Sequence, residues 1–245
     1  MRGLTDRVFI VTGAAQGIGE ATARRLNEEG AIVALADRNR VGIEALADEL
    51  SAAGGRAIGV TLDVSSRDEW MAGVGTVLGR FGRIDGLVNN AGVTRDRSLL
   101  KMTDEDWDLV IDVNLKSAWL GCQNVIPAMT ATGGSIVNLS SESRWGAFGQ
   151  ANYASAKAGL VGLTRTVAVE HARHNIRCNA VAPGATSTPM VEAVPAQIRQ
   201  GWLDAIPLRR EAEPSEIAAA IVYLLSGDAS YVTGQILGVN GGSAL

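Results

Sequence analysis

The chain has 245 residues, a mass of 25.6 kDa and a formal net charge of −4, from 22 Lys+Arg against 26 Asp+Glu. A composition that is 47% hydrophobic and 20% charged belongs to a globular protein with a sizeable core and excludes a disordered chain. The acidic balance, with no basic block, argues against a nucleic-acid binder; the longest apolar run, 217–225, is about half of what a bilayer span requires.

In chain order, Met1-Arg2-Gly3-Leu4-Thr5-Asp6-Arg7 has no apolar stretch of signal-peptide type, so a cytoplasmic protein is expected. Short apolar, β-rich runs predict strands at 8–12, 32–36, 57–62, 84–88, 134–139, 176–181 and 236–239. Helical patterns fall between them at 17–29, 40–53, 67–81, 104–129, 151–174 and 214–225. Cys122 and Cys178 lie inside these elements without metal-ligand spacing and are expected to be buried thiols; no metal site is expected. The one interruption carries Pro183, Pro189, Pro195 and Pro207 and is read as an irregular substrate lid at about 185–213.

Strand–helix alternation from end to end implies right-handed βαβ crossovers. The expected fold class is α/β, a Rossmann-type, doubly wound, parallel seven-stranded sheet with helices on both faces. Residues 1–245 are read as one domain.

The first strand runs into Thr12-Gly13-Ala14-Ala15-Gln16-Gly17-Ile18-Gly19 and then a helix. Glycines there permit a tight turn, and the helix N-terminus offers free N–H groups to a pyrophosphate. The second strand leads to Asp37, placed to accept both adenosine ribose hydroxyls and to repel a 2′-phosphate. NAD is therefore the expected cofactor and NADP is disfavoured, although Arg38 follows Asp37 directly. Asp63-Val64 and Asn89-Asn90-Ala91-Gly92 fall at the carboxyl ends of strands, where open α/β sheets bind ligands. Tyr153 and Lys157 are four residues apart in a predicted helix and share a face, so the ammonium is expected to lower the phenol's pKa. Ser140 lies thirteen residues before Tyr153.

These residues, together with Asn114 and Pro183-Gly184, stand in the order and near the spacings of the short-chain dehydrogenase/reductase family, which the whole chain resembles. The segments from Asn89 to Asp96 and from Gly149 to Leu160 look like bacterial 3-oxoacyl-acyl-carrier-protein reductases. The resemblance implies that Tyr153 exchanges a proton with the substrate oxygen and that Ser140 holds that oxygen. It implies that Lys157 binds the nicotinamide ribose and that Asn114 holds a water of a proton relay. Gly13, Gln16, Gly17, Ile18, Gly19, Asp37, Asp63, Val64, Asn90, Ala91, Gly92, Tyr153, Lys157, Pro183, Gly184, Thr186 and Thr188 would contact the dinucleotide. Ser140, Glu142, Gln150 and Tyr153 would meet the substrate.

The activity so implied is hydride transfer between NAD(H) and a ketone or secondary alcohol, of the 3-oxoacyl-thioester reductase type. The alternative is an NAD-dependent polyol, sugar or other secondary-alcohol dehydrogenase, because Glu142 can bind substrate hydroxyls and Arg144 an acidic group, unless the two pair with each other. A non-catalytic dinucleotide-sensing module is the reading from a different class. The turn 129–133 carries no charge, and His174 stands where such reductases place a second basic residue, so docking of an acyl-carrier protein is not expected. The resemblance further implies a homotetramer, paired through the helices at 104–129 and 151–174 and through the tail 234–245.

Overall fold

A computed structural model describes residues 1–243. Seven parallel strands form one sheet in the order β3-β2-β1-β4-β5-β6-β7. The strands are β1 (Val8–Thr12), β2 (Ile32–Asp37), β3 (Arg56–Thr61), β4 (Gly86–Asn89), β5 (Gly134–Leu139), β6 (Ile176–Pro183) and β7 (Ile236–Val239). The order reverses direction between β1 and β4, which opens a crevice at the carboxyl ends of those two strands.

The helices are α1 (Gly17–Glu28), α2 (Arg40–Ala52), α3 (Arg67–Phe81), α4 (Asp104–Ile111), α5 (Ser117–Met129), α6 (Ala151–His171), α7 (Pro189–Glu192), α8 (Ala196–Ala205) and α9 (Pro214–Leu225). Their apolar faces cover both sides of the sheet. One core layer joins alternate residues of β1 and β2, Phe9, Val11, Val33 and Leu35, to Leu26 of α1 and Ile217 and Ile221 of α9. The other joins Val8, Ile10 and Ile32 to Trp70 and Val77 of α3 and Leu120 and Val125 of α5. That alternation is the two-residue period of a strand, and burial on both faces is why β1 and β2 read as unbroken apolar runs.

Side-chain caps fix where several helices begin. Asn39 accepts from Gly42 N, Ser66 from Glu69 N and Thr103 from Asp106 N. Between β4 and β5 the buried Asn89 donates to Asn138 Oδ1 at 2.8 Å, and Asn138 donates to Thr164 Oγ1 on α6 at 2.9 Å. The same amides reach the buried sulfurs of Cys122 and Cys178, so both thiols sit inside the core as expected.

Two expectations change. The helix at 104–129 is one path but not one regular helix: α4 passes into a π-turn at Asp112–Lys116 before α5. The lid region at 185–213 is irregular only in part. Thr188 caps α7, with Pro189 at its first turn, and Pro195 precedes α8, so two short helices of 4 and 10 residues make up nearly half of it.

Candidate active site

At the crevice the chain leaves β1 through Gly13 and enters α1 at Gly17, both at positive φ (63° and 60°) that side chains disfavour. Gly19 is held tightest: a Cβ there would lie 2.1 Å from the Gly13 carbonyl oxygen and 2.6 Å from Asn90 Nδ2. The loop is tied to β4 from behind. Asn90 Nδ2 donates to the carbonyls of Thr12 and Gly13, while Thr12 Oγ1 accepts from the N–H groups of Asn90 and Ala91. Helix α1 has no side-chain cap, unlike α2, α3 and α4. Its first N–H groups and partial positive charge therefore face the crevice, an arrangement suited to a phosphate.

A cavity of about 1130 Å³ runs from this loop to α6 and the lid. Of the expected cofactor contacts, Gly13, Gln16, Gly17, Ile18, Asp37, Asp63, Val64, Asn90, Ala91 and Gly92 line it, together with Tyr153, Lys157, Pro183, Gly184, Thr186 and Thr188. Gly19 stands behind the loop instead, where its smallness lets the chain fold onto itself. The Thr188 methyl closes on Gly17, at 3.3 Å from where a Cβ would lie, so the lid touches the phosphate loop.

Asp37 ends β2 with its carboxylate fixed. One oxygen accepts from Ala15 N at 3.2 Å and the other from Asn39 N at 2.9 Å. Arg38 beside it pairs with Asp63 at 3.6 Å. Burial pushes the Asp63 carboxyl up, but the Ser65 hydroxyl, the Ser65 N–H and Arg38 outweigh it and hold the group below its ordinary value. The glycine cradle, the uncapped helix and the fixed carboxylate together fit a dinucleotide.

At the other end lie Tyr153 and Lys157, with the Lys157 ammonium 5.4 Å from the centre of the tyrosine ring. Lys157 is buried and donates to the Leu139 carbonyl at 2.6 Å. Burial lowers its pKa to about 8. The expected lowering of the phenol is not found: desolvation raises Tyr153 to about 12, with the Asp96 charge adding to the rise and the Ser141 hydroxyl opposing it. Burial thus outweighs the four-residue spacing, and Tyr153 stands as a proton donor.

The serine expectation also changes. Ser140 is buried, and its hydroxyl donates to the Lys157 carbonyl at 2.8 Å, which ties the end of β5 to α6. Ser141, the next residue, is the serine whose hydroxyl faces the Tyr153 phenol. Asn114 does not line the cavity. From the π-turn its Nδ2 donates to the carbonyls of Val93 and Val110, and its Oδ1 accepts from Val93 N, so it pins the loop after β4. A Cβ on Gly92 would lie 2.6 Å from Asn114 Oδ1 and 3.7 Å from Lys157 Nζ, which puts both groups on the same, Cβ-facing side of that glycine.

Glu142 and Gln150 both line the cavity. Arg144 binds Glu142 at 2.9 Å and stacks over Trp145 at 4.9 Å, so neither charge of that pair is free. Gln150 donates to Asp96 at 2.8 Å. Among the described residues no group of His, Cys, Asp and Glu could hold a metal ion, and no helix is long and apolar enough to cross a membrane.

The pKa of Lys157 sets an expected pH profile. The ammonium form is held below about pH 8 and lost above it. A positive charge beside the phenol favours proton release from it. The rate of ketone reduction is expected to stay level to about pH 7 and to fall through about pH 8, as checked by kcat/KM against pH.

Three comparisons place the chain among known proteins. A family model described as "Enoyl-(Acyl carrier protein) reductase" matches residues 13–244. The 3-oxoacyl-(acyl-carrier-protein) reductase of Thermotoga maritima is 46% identical over 241 residues, covering 98% of each chain. The (2S)-((R)-hydroxy(phenyl)methyl)succinyl-CoA dehydrogenase subunit BbsD of Thauera aromatica is 41% identical over 244 residues, 99% of this chain and 98% of its own. Among solved structures, a levodione reductase superposes with a TM-score of 0.93 at 39% identity, covering 97% of each chain.

Proposed function

The chain belongs to the short-chain dehydrogenase/reductase family, and from that premise we propose that it is an NAD(H)-dependent oxidoreductase that interconverts a ketone and a secondary alcohol. The observation that carries the reading is one cavity joining the Gly13–Gly19 cradle and Asp37 to Tyr153, Lys157 and Ser141. When bound, the dinucleotide supplies or takes up the hydride. Gly13, Gln16, Gly17, Ile18 and the α1 N-terminus would hold its pyrophosphate, and Asp37 would hold the adenosine ribose. Val64, Asn90, Ala91, Gly92, Pro183, Gly184, Thr186 and Thr188 line its path. Tyr153 passes its phenolic proton to the substrate oxygen during reduction, and Ser141, in place of Ser140, holds that oxygen. Lys157 would hold the nicotinamide ribose of a bound dinucleotide and would stabilise the phenolate that remains. Asn114 positions the Gly92–Val93 loop beside Lys157.

Two substrate readings stand. Reduction of a 3-oxoacyl thioester is supported by likeness to reductases named for that substrate. Oxidation of a polyol or other secondary alcohol has less support, because the Glu142 carboxylate that would bind substrate hydroxyls is paired with Arg144. A homotetramer in the cytoplasm completes the proposal. Trp107, Leu109, Trp119 and Val169, exposed on α4, α5 and α6, support pairing through those helices. Of the tail at 234–245, residues 244 and 245 lie outside the described residues.

The preference for NAD rests on Asp37. Removing its charge by Asp37→Ser is expected to raise the NADPH-to-NADH ratio of kcat/KM at least about tenfold, since like charges brought together cost several kcal/mol. Initial rates with both cofactors measure this, and an unchanged ratio would assign cofactor choice to other residues.

A further inference from the structure

The lid is held from outside the core. Its helices α7 and α8 contribute no buried residue, and among the described residues from 187 to 213 only Ile206 is buried. On α8, Ile198, Trp202 and Ala205 share one face and line the cavity, while Arg199 turns away to pair with Glu211 at 2.9 Å. Ile198 and Trp202 are 51% and 37% exposed, so this apolar stripe rests on nothing in the core. A short amphipathic helix without a core partner needs another contact to fix its position.

That contact is the turn after β7. A Cβ on Gly241 would lie 2.8 Å from Ile206 Cγ2, and one on Gly242 would lie 3.0 Å from Pro207 Cγ. Leu208 N donates to the Gly241 carbonyl at 3.2 Å. The same turn meets the other end of the lid. Gly184 N donates to the Val239 carbonyl at 3.0 Å, and a Cβ on Gly184 would lie 2.9 Å from Asn240 Cα. Asn240 closes the turn on itself: its Oδ1 accepts from Gly242 N and its carbonyl from Ser243 N. The lid ends are also joined to each other, through Ser187 N to the Ala212 carbonyl and Ala212 N to the Ala185 carbonyl, both at 2.9 Å. Ile206 follows α8 directly, and its N–H donates to the Trp202 carbonyl at 3.0 Å, so a shift of Ile206 carries the end of α8 with it.

We propose that the turn Asn240-Gly241-Gly242 is the seat of the lid and a positioning element for the substrate. By clamping both lid ends it sets where the apolar face of α8 stands in the cavity it shares with Tyr153, and so sets ketone affinity. This rests on the oxidoreductase reading. Residues 240–242 do not line the cavity and act through Ile206, which does. The phosphate cradle and Asp37 belong to β1, α1 and β2, apart from the seat.

The test compares Gly241→Ala, which sets a methyl against Ile206, with Gly82→Ala. Gly82 has a similar positive φ (72° against 63°) but nothing within 4 Å of an added Cβ, so it controls for backbone strain alone. Three quantities are measured: KM and kcat with NADH for acetoacetyl-CoA and 2-hydroxyacetophenone, NADH Kd by fluorescence, and tryptic cleavage after Arg199, Arg209 and Arg210 by mass spectrometry. Gly241→Ala is expected to raise the ketone KM at least about tenfold, with kcat and NADH Kd within about threefold of the wild type. Cleavage of its lid is expected to be at least about fivefold faster, because the segment opens locally. Gly82→Ala is expected to leave all three unchanged. Combining Gly241→Ala with Ile206→Ala should cost no more than Ile206→Ala alone, since the methyl then has nothing to push. Equal rises of KM in Gly241→Ala and Gly82→Ala would reduce the effect to backbone strain and overturn the proposal. Faster cleavage with an unchanged KM would overturn it too, as would a changed assembly size on gel filtration, which would assign the loss to subunit pairing. Turnover of neither ketone by the wild type would count against the oxidoreductase reading; faster lid cleavage in Gly241→Ala but not in Gly82→Ala would then still support the seat.

Discussion

Replacing Tyr153 with Phe is expected to lower kcat/KM for ketone reduction by about 10²–10⁴-fold, the range that a positioned general acid contributes. The ring stays, so its packing and its 5.4 Å relation to the Lys157 ammonium are kept. Only the hydroxyl is lost. Desolvation raises that hydroxyl to about 12, a direction that favours the protonated form from which a proton can be donated. NADH fluorescence titration should give a Kd close to that of the wild type, because the phosphate loop and Asp37 are untouched. A variant that binds NADH and turns over ketone at the wild-type rate would remove Tyr153 from the chemistry.

Gly19→Val is expected to abolish nucleotide binding, with affinity for NADH reduced at least about 100-fold, because close helix–strand packing at this glycine sets the approach of the loop. The added side chain begins 2.1 Å from the Gly13 carbonyl oxygen, which is backbone and cannot swing aside. It also meets Asn90 Nδ2 at 2.6 Å, so the bonds that tie the loop to β4 break together. Overpacking of this kind lowers stability as well, typically by about 1–3 kcal/mol. A urea titration beside the NADH titration separates the two effects. A variant that is destabilised yet binds NADH normally would show that the cradle does not set the affinity.

The central strands and the alternation were legible because β1 and β2 are covered on both sides and read as apolar runs. The π-turn was not, since every residue from Asp112 to Lys116 is compatible with a regular helix. Only the bonds from Asn114 to Val93 and Val110 reveal what the wider turn accommodates. The helices of the lid had signals in Thr188-Pro189 and Pro195, but the density of prolines masked them. Ser140 and Ser141 show a different limit. A count of residues back from Tyr153 cannot choose between neighbours, whereas adjacent side chains leaving a strand turn to opposite sides. That pleat sends one hydroxyl to the Lys157 carbonyl and the other to the phenol. The spacing of Tyr153 and Lys157 gave their proximity correctly. It gave the direction of the phenol's pKa wrongly, because spacing carries no information about burial.

The most direct test of the account is the absorbance at 340 nm of purified protein mixed with NADH or NADPH and either acetoacetyl-CoA or 2-hydroxyacetophenone. The account predicts oxidation of NADH by at least one of these carbonyl substrates, faster than oxidation of NADPH and lost in Tyr153→Phe. NADH that binds, as seen by fluorescence, but is oxidised by neither substrate nor by other ketones would contradict catalysis and leave a dinucleotide-sensing module.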